Sequence, residues 1–454
     1  MRFVSVNPAT GEAFAEHAAW GEQEIAQALE RADRAAPTWA ALPVARRCEY
    51  LRTVATILRG RVDKLARLVT HEMGKLQREA HAEVEKCALV CDYYADHAPD
   101  FLRDEVIPSD ASRSLVAWQP LGAVLAVMPW NFPLWQVFRF AAPALAAGNV
   151  GLLKHASNTH LCALAIEDVF RDAGLPEGVF QNLMIGSSQV ARVIADDRVH
   201  AVTLTGSEGA GRQVAAAAGT ALKKTVMELG GADAFVVLED ADLDFAVAQA
   251  MLGRFQNAGQ SCIAAKRFVV VDAVADAFVT RFRDAIAALK PGDPMDEATT
   301  LAPLVRDDQR QALHAQVTES IARGAQPVVG GHPIEGPGFF YAATLLDRMG
   351  PGMPAYEEEL FGPVAAVIRV RDEEHAVAVA NDSRFGLGGS VWTSDPARGE
   401  RVARRLECGC AFVNGIVKSD PRLPFGGIKA SGYGRELAHH GLREFLNAKT
   451  LWIR

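Results

Sequence analysis

The sequence predicts an α/β fold built on parallel sheets. From residue 149 to residue 289, short apolar runs alternate with stretches in which apolar residues recur three and four positions apart, the pattern of βαβ units. Of the 454 residues, 49% are hydrophobic, which is enough for a large core divided among two or three domains.

The predicted elements follow in chain order. Residues 21 to about 100 read as helical because apolar positions recur three and four apart with charges between them. From residue 113, "SRSLVAWQPLGAVLAVMPW" predicts two strands around Pro120 and Gly122, the second of them buried. The alternating segment then predicts strands at 149–155, 201–206, 224–229 and 267–271, and helices at 159–173, 207–219, 242–256 and 273–289. The strand-like tail "AKTLWIR" pairs either with the 113–127 ribbon or with another subunit.

Composition excludes several classes of function. The formal charge is −8, and the basic residues are dispersed, so we expect no nucleic-acid partner. No apolar run reaches the roughly 18 residues of a membrane span. The start "MRFVSVNPATGE" lacks the apolar segment of a secretory signal, which predicts a cytoplasmic protein. The seven cysteines are expected to be free thiols, and their spacing predicts no metal site.

Cys262 stands in the unusual stretch "GRFQNAGQSCIAAKRF". Small and polar residues before a thiol let backbone and substrate approach closely, as a cysteine nucleophile requires. The alternative interpretation is a buried cysteine that packs as a small hydrophobic residue. Taken alone, the stretch favours that alternative.

Other candidate residues stand at the ends of predicted strands. Glu228 ends an apolar strand before two glycines, where a carboxylate with a raised pKa can act as a general base. Asn131, held between Pro129 and Pro133, can donate to an oxyanion. Gly206 precedes a predicted helix whose N-terminus can bind phosphate. Each also has an ordinary structural interpretation, as a solvated strand end, a turn asparagine or a simple glycine turn.

Together, ordered motifs along essentially the whole chain resemble those of the aldehyde dehydrogenase superfamily. They are "NPATGE" at 7–12, "PWNFP" at 129–133, "LLKHAS" at 152–157, "TGS" at 205–207, "MELGG" at 227–231, "GQSC" at 259–262, "EELFGPV" at 358–364 and "PFGGIKASGYGRE" at 424–436. The resemblance implies that Cys262 is the nucleophile, that Asn131 and the Cys262 N–H hold the oxyanion, and that Glu228 activates water to release the acid.

The same resemblance implies a nicotinamide cofactor. The implied cofactor-binding residues are Trp130, Lys154, Ser157, Gly206, Ser207, Leu229, Glu359 and Phe361. Many relatives that prefer NAD have glutamate where Ser157 stands, and that carboxylate repels a 2′-phosphate. Serine removes the repulsion, and Lys154 adds positive charge. We therefore expect NADP or NAD as cofactor, with the preference between them undecided.

Within the superfamily, the chain is most similar to bacterial succinate-semialdehyde dehydrogenases. This implies that Arg139 and Ser419 bind the carboxylate of succinic semialdehyde. Some relatives carry a second arginine where this chain has Gln256. Residues that could compensate are Arg254, Lys418, Ser419 and Arg422. Ala264 replaces a second cysteine of some relatives, so no disulfide can form across that position.

The resemblance also implies three structural parts and an oligomer. They are an NAD(P)-binding domain at 1–110 and 129–231, a catalytic domain at 232–422, and an oligomerisation arm with the C-terminal tail at 111–128 and 423–454. Family members are usually dimers or tetramers, so a homodimer or homotetramer is expected. Alternative functions are a dehydrogenase for other short-chain or aromatic aldehydes, a CoA-acylating relative, disfavoured because Glu228 is present, and a catalytically retired structural protein.

Overall fold

The computed structural model describes residues 1–454 and contains fifteen α-helices and twenty strands. The helices are α1 Glu22–Ala40, α2 Val44–Gly60, α3 Val62–Met73, α4 Gln77–Phe101, α5 Trp135–Ala147, α6 His160–Asp172, α7 Val190–Ala195, α8 Glu208–Thr220, α9 Leu243–Phe255, α10 Asp272–Ala287, α11 Asp307–Ala322, α12 Pro354–Glu357, α13 Glu373–Asn381, α14 Pro396–Ala403 and α15 Ala438–Arg443. Short 3₁₀ helices span Ser157–Thr159, Ser187–Gln189 and Gln256–Gly259.

The strands form two large sheets and three small ones. They are β1 Arg2–Val6, β2 Ala13–Ala18, β3 Glu105–Val106, β4 Arg113–Pro120, β5 Ala123–Met128, β6 Val150–His155, β7 Phe180–Asn182, β8 Val199–Thr205, β9 Lys224–Glu228, β10 Asp233–Val237, β11 Ala265–Val271, β12 Gln326–Val329, β13 Thr344–Asp347, β14 Val364–Val370, β15 Phe385–Gly386, β16 Gly388–Trp392, β17 Cys410–Val413, β18 Ile428–Lys429, β19 Gly432–Tyr433 and β20 Leu446–Ile453.

The helical prediction for residues 21 to 100 is confirmed, with the segment divided into α1 to α4. Helix α3 ends at Gly74, which has a left-handed φ of 82°. A Cβ at this position would lie 2.9 Å from Pro303, so glycine is required both for the backbone angle and for the close approach of the chain. This turn brings the start of α4 toward the loops around Cys262.

The first large sheet has the order β19-β9-β8-β5-β6-β7. Its strands β5 to β9 run parallel, which confirms the predicted βαβ pattern. Their carboxyl ends meet at one edge of the sheet, where α/β proteins bind ligands. The segments that follow these ends contain "PWNFP", Ser157, "TGS" and "ELGG", so the fold gathers the candidate motifs at this edge.

The second large sheet has the order β12-β13-β14-β11-β10-β16-β17. Along β10, Phe235 and Val237 pack into one apolar cluster, while Ala234 and Val236 pack into another on the opposite face. Both faces of this strand are therefore covered, as the apolar run predicts. The predicted helices at 242–256 and 273–289 and the strand at 267–271 are confirmed as α9, α10 and β11.

The C-terminal strand β20 lies in a smaller sheet with the order β20-β4-β3. Strand β20 pairs antiparallel with β4, from Leu446 opposite Pro120 to Ile453 opposite Arg113. The predicted pairing of the tail with the 113–127 ribbon is therefore confirmed within one chain. No helix has both the length and the apolar character that a membrane crossing needs.

The predicted arm at 111–128 needs a correction. Strand β5, Ala123–Met128, lies in the first large sheet between β6 and β8, not in the small sheet. Strand β19, inside the predicted tail at 423–454, also joins that large sheet. The physical reason for β5 is its continuous apolar sequence, which is stable only where both faces are buried.

Candidate active site

Cys262 lies where two cavities meet. The first, hereafter the cleft, has a cavity volume of about 330 Å³. It is lined by Pro129, Trp130, Asn131, Gln136, Thr205, Gly206, Ser207, Leu229, Gly230, Cys262, Arg306, Gln309, Glu359 and Phe361. The second, hereafter the tunnel, has a cavity volume of about 160 Å³ and lies between α4, α5 and the loop before β18. Because Cys262 and Gln136 line both cavities, two different molecules can reach the thiol, one through each cavity.

The loop before Cys262 has a strained backbone. Asn257, Ala258 and Gly259 all have left-handed φ values, of 53°, 51° and 74°. Such values are uncommon for residues other than glycine and persist only where the surroundings enforce them. A Cβ on Gly259 would collide with the Gly362 carbonyl, so this glycine is required. Strain at this position fixes the direction in which the chain presents Cys262.

Arg254 enforces this conformation. Its guanidinium is fully buried and donates to the carbonyls of Gly259, at 2.6 Å, and Gly362, at 2.7 Å. It also donates to Ala265 O at 3.2 Å. The prediction that Arg254 could compensate for Gln256 as a carboxylate ligand is therefore wrong, because backbone carbonyls already occupy its terminal nitrogens.

A second buried cation, Lys266, holds the other side of the loop. Its ammonium donates to the carbonyls of Cys262 and Ser261, at 2.7 and 2.9 Å. It also lies 3.3 Å from a Glu359 carboxylate oxygen. The sequence interpretation did not single out Lys266, although a lysine on the buried strand β11 was an available signal. The contact links the Cys262 loop to the "EELFGPV" motif.

The glycine pair after Glu228 lets these segments approach each other. A Cβ on Gly231 would lie 2.7 Å from the Cys262 carbonyl oxygen, and one on Gly230 would collide with the Glu359 carboxylate. The Gly231 N–H donates to Glu359 Oε1 at 3.1 Å. The requirement for two glycines is therefore steric.

Asn131 is held in one orientation beside Cys262. Its Nδ2 donates to the Gln260 carbonyl at 3.1 Å, and its Oδ1 accepts from Gln136 Nε2 at 3.1 Å. Asn257 Nδ2 donates to the Asn131 carbonyl at 2.9 Å. The amide thus keeps one N–H free to donate to an oxygen bound near the thiol. Gln136, which fixes this orientation, was not predicted from the sequence.

The Cys262 thiol is protonated in this environment. Burial raises its pKa to about 12, and the positive charges of Arg139 and Lys266 partly oppose that effect. All seven cysteines are free. A nucleophilic role therefore requires a change of environment that removes the thiol proton.

Glu228 belongs to a buried cluster of charged side chains near Cys262. It is 2% exposed, and neither carboxylate oxygen has a hydrogen-bond partner. Burial, and then the nearby Glu436 carboxylate, raise its pKa well above the usual value, while Arg139 opposes the shift. Arg139 is itself ion-paired with Glu436. Glu228 is not among the residues that line the cleft or the tunnel.

The predicted cofactor residues divide into two groups. Six of the eight line the cleft: Trp130, Gly206, Ser207, Leu229, Glu359 and Phe361. The Trp130 and Phe361 rings meet edge to face, with centroids 5.6 Å apart. Ser207 caps α8 by accepting from Ala210 N at 3.3 Å, which leaves that helix N-terminus facing the cleft.

Lys154 and Ser157 lie just outside the cleft lining. Lys154 is in β6, directly beside β5 and in register with Val127, and Ser157 begins the 3₁₀ turn that follows. Burial lowers the pKa of Lys154, and no carboxylate pairs with it. Both residues therefore stand at the carboxyl end of β6, at the same sheet edge as the motifs that line the cleft. Arg306 and Gln309, which line the cleft from the start of α11, were not predicted.

The tunnel contains the predicted substrate residues. Arg139 lines it from α5, stacks on Phe425 at 4.8 Å and donates to Thr205 Oγ1 at 3.3 Å. Ser419 Oγ accepts from Trp135 Nε1 at 3.1 Å. Lys418 also lines the tunnel. Arg422 does not line it and is instead paired with Asp420 at 2.6 Å, so the prediction that it could compensate for Gln256 is wrong.

Comparison with known proteins identifies this arrangement. The model of the aldehyde dehydrogenase family matches residues 1–451. The chain belongs to the aldehyde dehydrogenase family. A probable succinate-semialdehyde dehydrogenase [NADP(+)] from Synechocystis sp. is 53% identical over 453 residues and 100% of both chains. A succinate semialdehyde dehydrogenase [NAD(P)+] from Escherichia coli is 48% identical over 99% of this chain and 97% of its own.

Solved structures of the family have the same fold. The succinic semialdehyde dehydrogenase of Streptococcus pyogenes, solved in complex with NADP+, superposes with a TM-score of 0.98. It is 41% identical and covers 99% of each chain. The predicted aldehyde dehydrogenase fold is therefore confirmed.

The raised pKa of Cys262 gives a prediction for the cofactor-free protein. Because only the thiolate reacts, alkylation of Cys262 by iodoacetamide should accelerate about tenfold per pH unit between pH 7 and 9. The rate is measured from the labelled Cys262 peptide by mass spectrometry, and Cys262→Ala serves as the unlabelled control. A rate that is already constant above pH 7 would show that the thiol ionises in the resting protein.

Proposed function

We propose that this enzyme oxidises succinic semialdehyde to succinate with NADP+ or NAD+, through a thioester on Cys262. The observation that carries the proposal is the position of the thiol at the junction of the cleft and the tunnel. A cofactor enters from one side and an aldehyde from the other. The activities named for the Synechocystis and Escherichia coli relatives support the choice of substrate.

The first step is loss of the Cys262 thiol proton to solvent water, followed by attack of the thiolate sulfur on the aldehyde carbon. The positive charges of Arg139 and Lys266 favour the thiolate. The carbonyl oxygen becomes an oxyanion, which the Asn131 amide and the Cys262 backbone N–H hold. That N–H has no acceptor within the chain, so it is free to donate. Fixed donors of this kind stabilise the charge that develops in the transition state.

The cleft fits a nicotinamide nucleotide. Gly206 and Gly230 present backbone without side chains at its floor, and Trp130 and Phe361 form an apolar wall. NADP+ or NAD+, when bound, supplies the hydride acceptor for the oxidation. The residues of the chain then have two tasks, which are to hold the aldehyde carbon beside the cleft and to keep bulk water out.

Glu228 is proposed as the base that activates water for hydrolysis of the thioester. It has to leave the buried group around Arg139 and Glu436 and ionise as it turns toward Cys262. Its raised pKa, caused by burial and by Glu436, suits a carboxyl group that accepts a proton near neutral pH. Release of succinate regenerates the thiol.

Lys154 and Ser157 are proposed to contact the adenosine ribose and its 2′-substituent. A serine at 157 leaves room for a 2′-phosphate and can donate to it, and Lys154 has no carboxylate partner that would cancel its charge. The NADP+ bound to the Streptococcus pyogenes enzyme and the NADP(+) in the name of the Synechocystis relative support this assignment.

Arg139 and Ser419 are proposed to attract the substrate carboxylate into the tunnel. Arg139 shares its charge with Glu436, so it contributes a positive potential more than an unoccupied binding fork. Ser419 Oγ accepts hydrogen bonds and keeps its own proton for donation.

A homodimer or homotetramer is proposed, assembled through the β20-β4-β3 sheet. Strand β20 is an edge strand, and its Leu451, Trp452 and Ile453 side chains are exposed. An apolar open edge of this kind favours pairing with another chain.

We further propose that the first large sheet belongs to the NAD(P)-binding domain and the second to the catalytic domain. We also propose that the enzyme is cytoplasmic.

The proposed function predicts a preference for an acidic aldehyde. Steady-state reduction of NAD+ and of NADP+ is followed with succinic semialdehyde and with butanal, which has the same chain length and no carboxylate. We expect kcat/KM to be at least tenfold higher for succinic semialdehyde. Equal values would retain the dehydrogenase chemistry and point to other short-chain or aromatic aldehydes as substrates.

Removing the proposed base should separate the two halves of the reaction. In Glu228→Gln, thioester formation still releases reduced cofactor, whereas hydrolysis slows. Rapid mixing should therefore show a burst of reduced cofactor close to one equivalent per site, followed by turnover about 100-fold slower than wild type. Loss of the burst together with steady-state turnover would assign Glu228 to the attack step instead.

The cofactor assignment predicts an effect of charge at residue 157. Ser157→Glu places a carboxylate where the 2′-phosphate is proposed to lie, so KM for NADP+ should rise at least tenfold while KM for NAD+ changes little. Ser157→Ala is the matched control and should show a smaller loss for NADP+. A parallel rise in both KM values would remove Ser157 from the 2′-phosphate site.

A further inference from the structure

Lys86 is a partly buried cation of the tunnel wall that forms no ion pair within the chain. It projects from α4, lines the tunnel together with Cys262, and lies 4.1 Å from the centroid of the Trp135 ring. No carboxylate lies within ion-pair distance of its ammonium, and its one hydrogen bond goes to Ser419 Oγ at 2.8 Å. At least two of its three N–H donors therefore remain available.

The acidic residues around Lys86 are already occupied. Glu83 accepts from the backbone N–H groups of Leu134 and Trp135, at 2.9 and 3.0 Å, and is ion-paired with Lys75. Glu79 accepts from the Asn257 N–H at 3.1 Å.

Asp420 is paired with Arg422. A charged group that is partly shielded from water is unfavourable without a counter-charge. The ammonium of Lys86 is therefore available to pair with a negatively charged ligand.

Lys86 and Ser419 together offer donors suited to a carboxylate. Ser419 Oγ accepts from both Lys86 and Trp135, which orients its hydroxyl proton away from these two donors. An ammonium and a hydroxyl side by side can each donate to a carboxylate oxygen, and charge-assisted bonds of this type are strong. Arg139, by contrast, is already paired with Glu436.

We propose that Lys86 binds the carboxylate of the aldehyde substrate and takes the place of the second arginine that is absent at Gln256. The inference rests on the proposed function, since it names the residue that recognises the acidic end of that substrate. Lys86 thus sets specificity, while Cys262 carries the chemistry. Lys418 also lines the tunnel, but it is exposed and has no partner that orients it.

The test compares Lys86→Met, which keeps the length and apolar stem of the side chain, with Lys86→Arg and with Lys418→Met as the matched control. Steady-state constants are measured for succinic semialdehyde and butanal. In Lys86→Met, the ratio of kcat/KM for the two aldehydes should fall about 10- to 100-fold, mainly through a higher KM for the acidic aldehyde. Lys86→Arg should recover most of the ratio, and Lys418→Met should stay within about threefold of wild type.

A second measurement distinguishes loss of carboxylate binding from misfolding of the variant. Succinate, as product, should inhibit butanal oxidation competitively, and its inhibition constant should rise at least tenfold in Lys86→Met and in Lys86→Gln. Cofactor binding, followed by fluorescence, checks that each variant is folded.

The outcomes separate the two proposals. A wild-type enzyme without preference for succinic semialdehyde contradicts the proposed substrate. A preference that persists unchanged in Lys86→Met, a parallel loss for both aldehydes, or a loss found in Lys418→Met instead, contradicts the role of Lys86 alone.

Discussion

The guanidinium of Arg254, buried among the backbone carbonyls of Gly259, Gly362 and Ala265, is the contact on which the catalytic centre depends. It holds three consecutive left-handed residues, a conformation that the isolated loop would not keep. Burying an arginine is costly unless its donors are used. Here the two terminal nitrogens of Arg254 donate to these carbonyls, and the hydrogen bonds connect the loop before Cys262 to the segment after Glu359.

The other charged side chains of the site contact this loop or lie close to it. Lys266 binds the Cys262 carbonyl and Glu359, which connects the thiol to a wall of the cleft. Arg139 is ion-paired with Glu436, and its positive charge lowers the pKa of both the Cys262 thiol and the Glu228 carboxyl group. One cation therefore affects both the proposed nucleophile and the proposed base, and a change at Arg139 is expected to alter both half-reactions as well as substrate binding.

Much of the fold could be predicted from the sequence because its signals are local. Apolar runs such as that of β6 and the spacing of apolar residues in α9 and α10 identify each element, and the ordered motifs identify the family. The sequence correctly predicts that β5 is a strand, but it places β5 in the arm, whereas the structure places it in the first large sheet. Its partners β6 and β8 are distant in sequence, and pairing of this kind is not encoded in the strand's own residues.

The sequence by itself determined which residue types stand at the site: Cys262, Glu228 and Asn131, each within a recognisable motif. Only the tertiary structure decided what the cations do. Arg254, Lys86 and the other basic residues all carry a positive charge, and a sequence cannot say which of them is already paired. Burial against carbonyls assigns Arg254 to the backbone, whereas the lack of a nearby free carboxylate leaves Lys86 open toward the tunnel. The physical reason is that the electrostatic role of a charge depends on its neighbours in space.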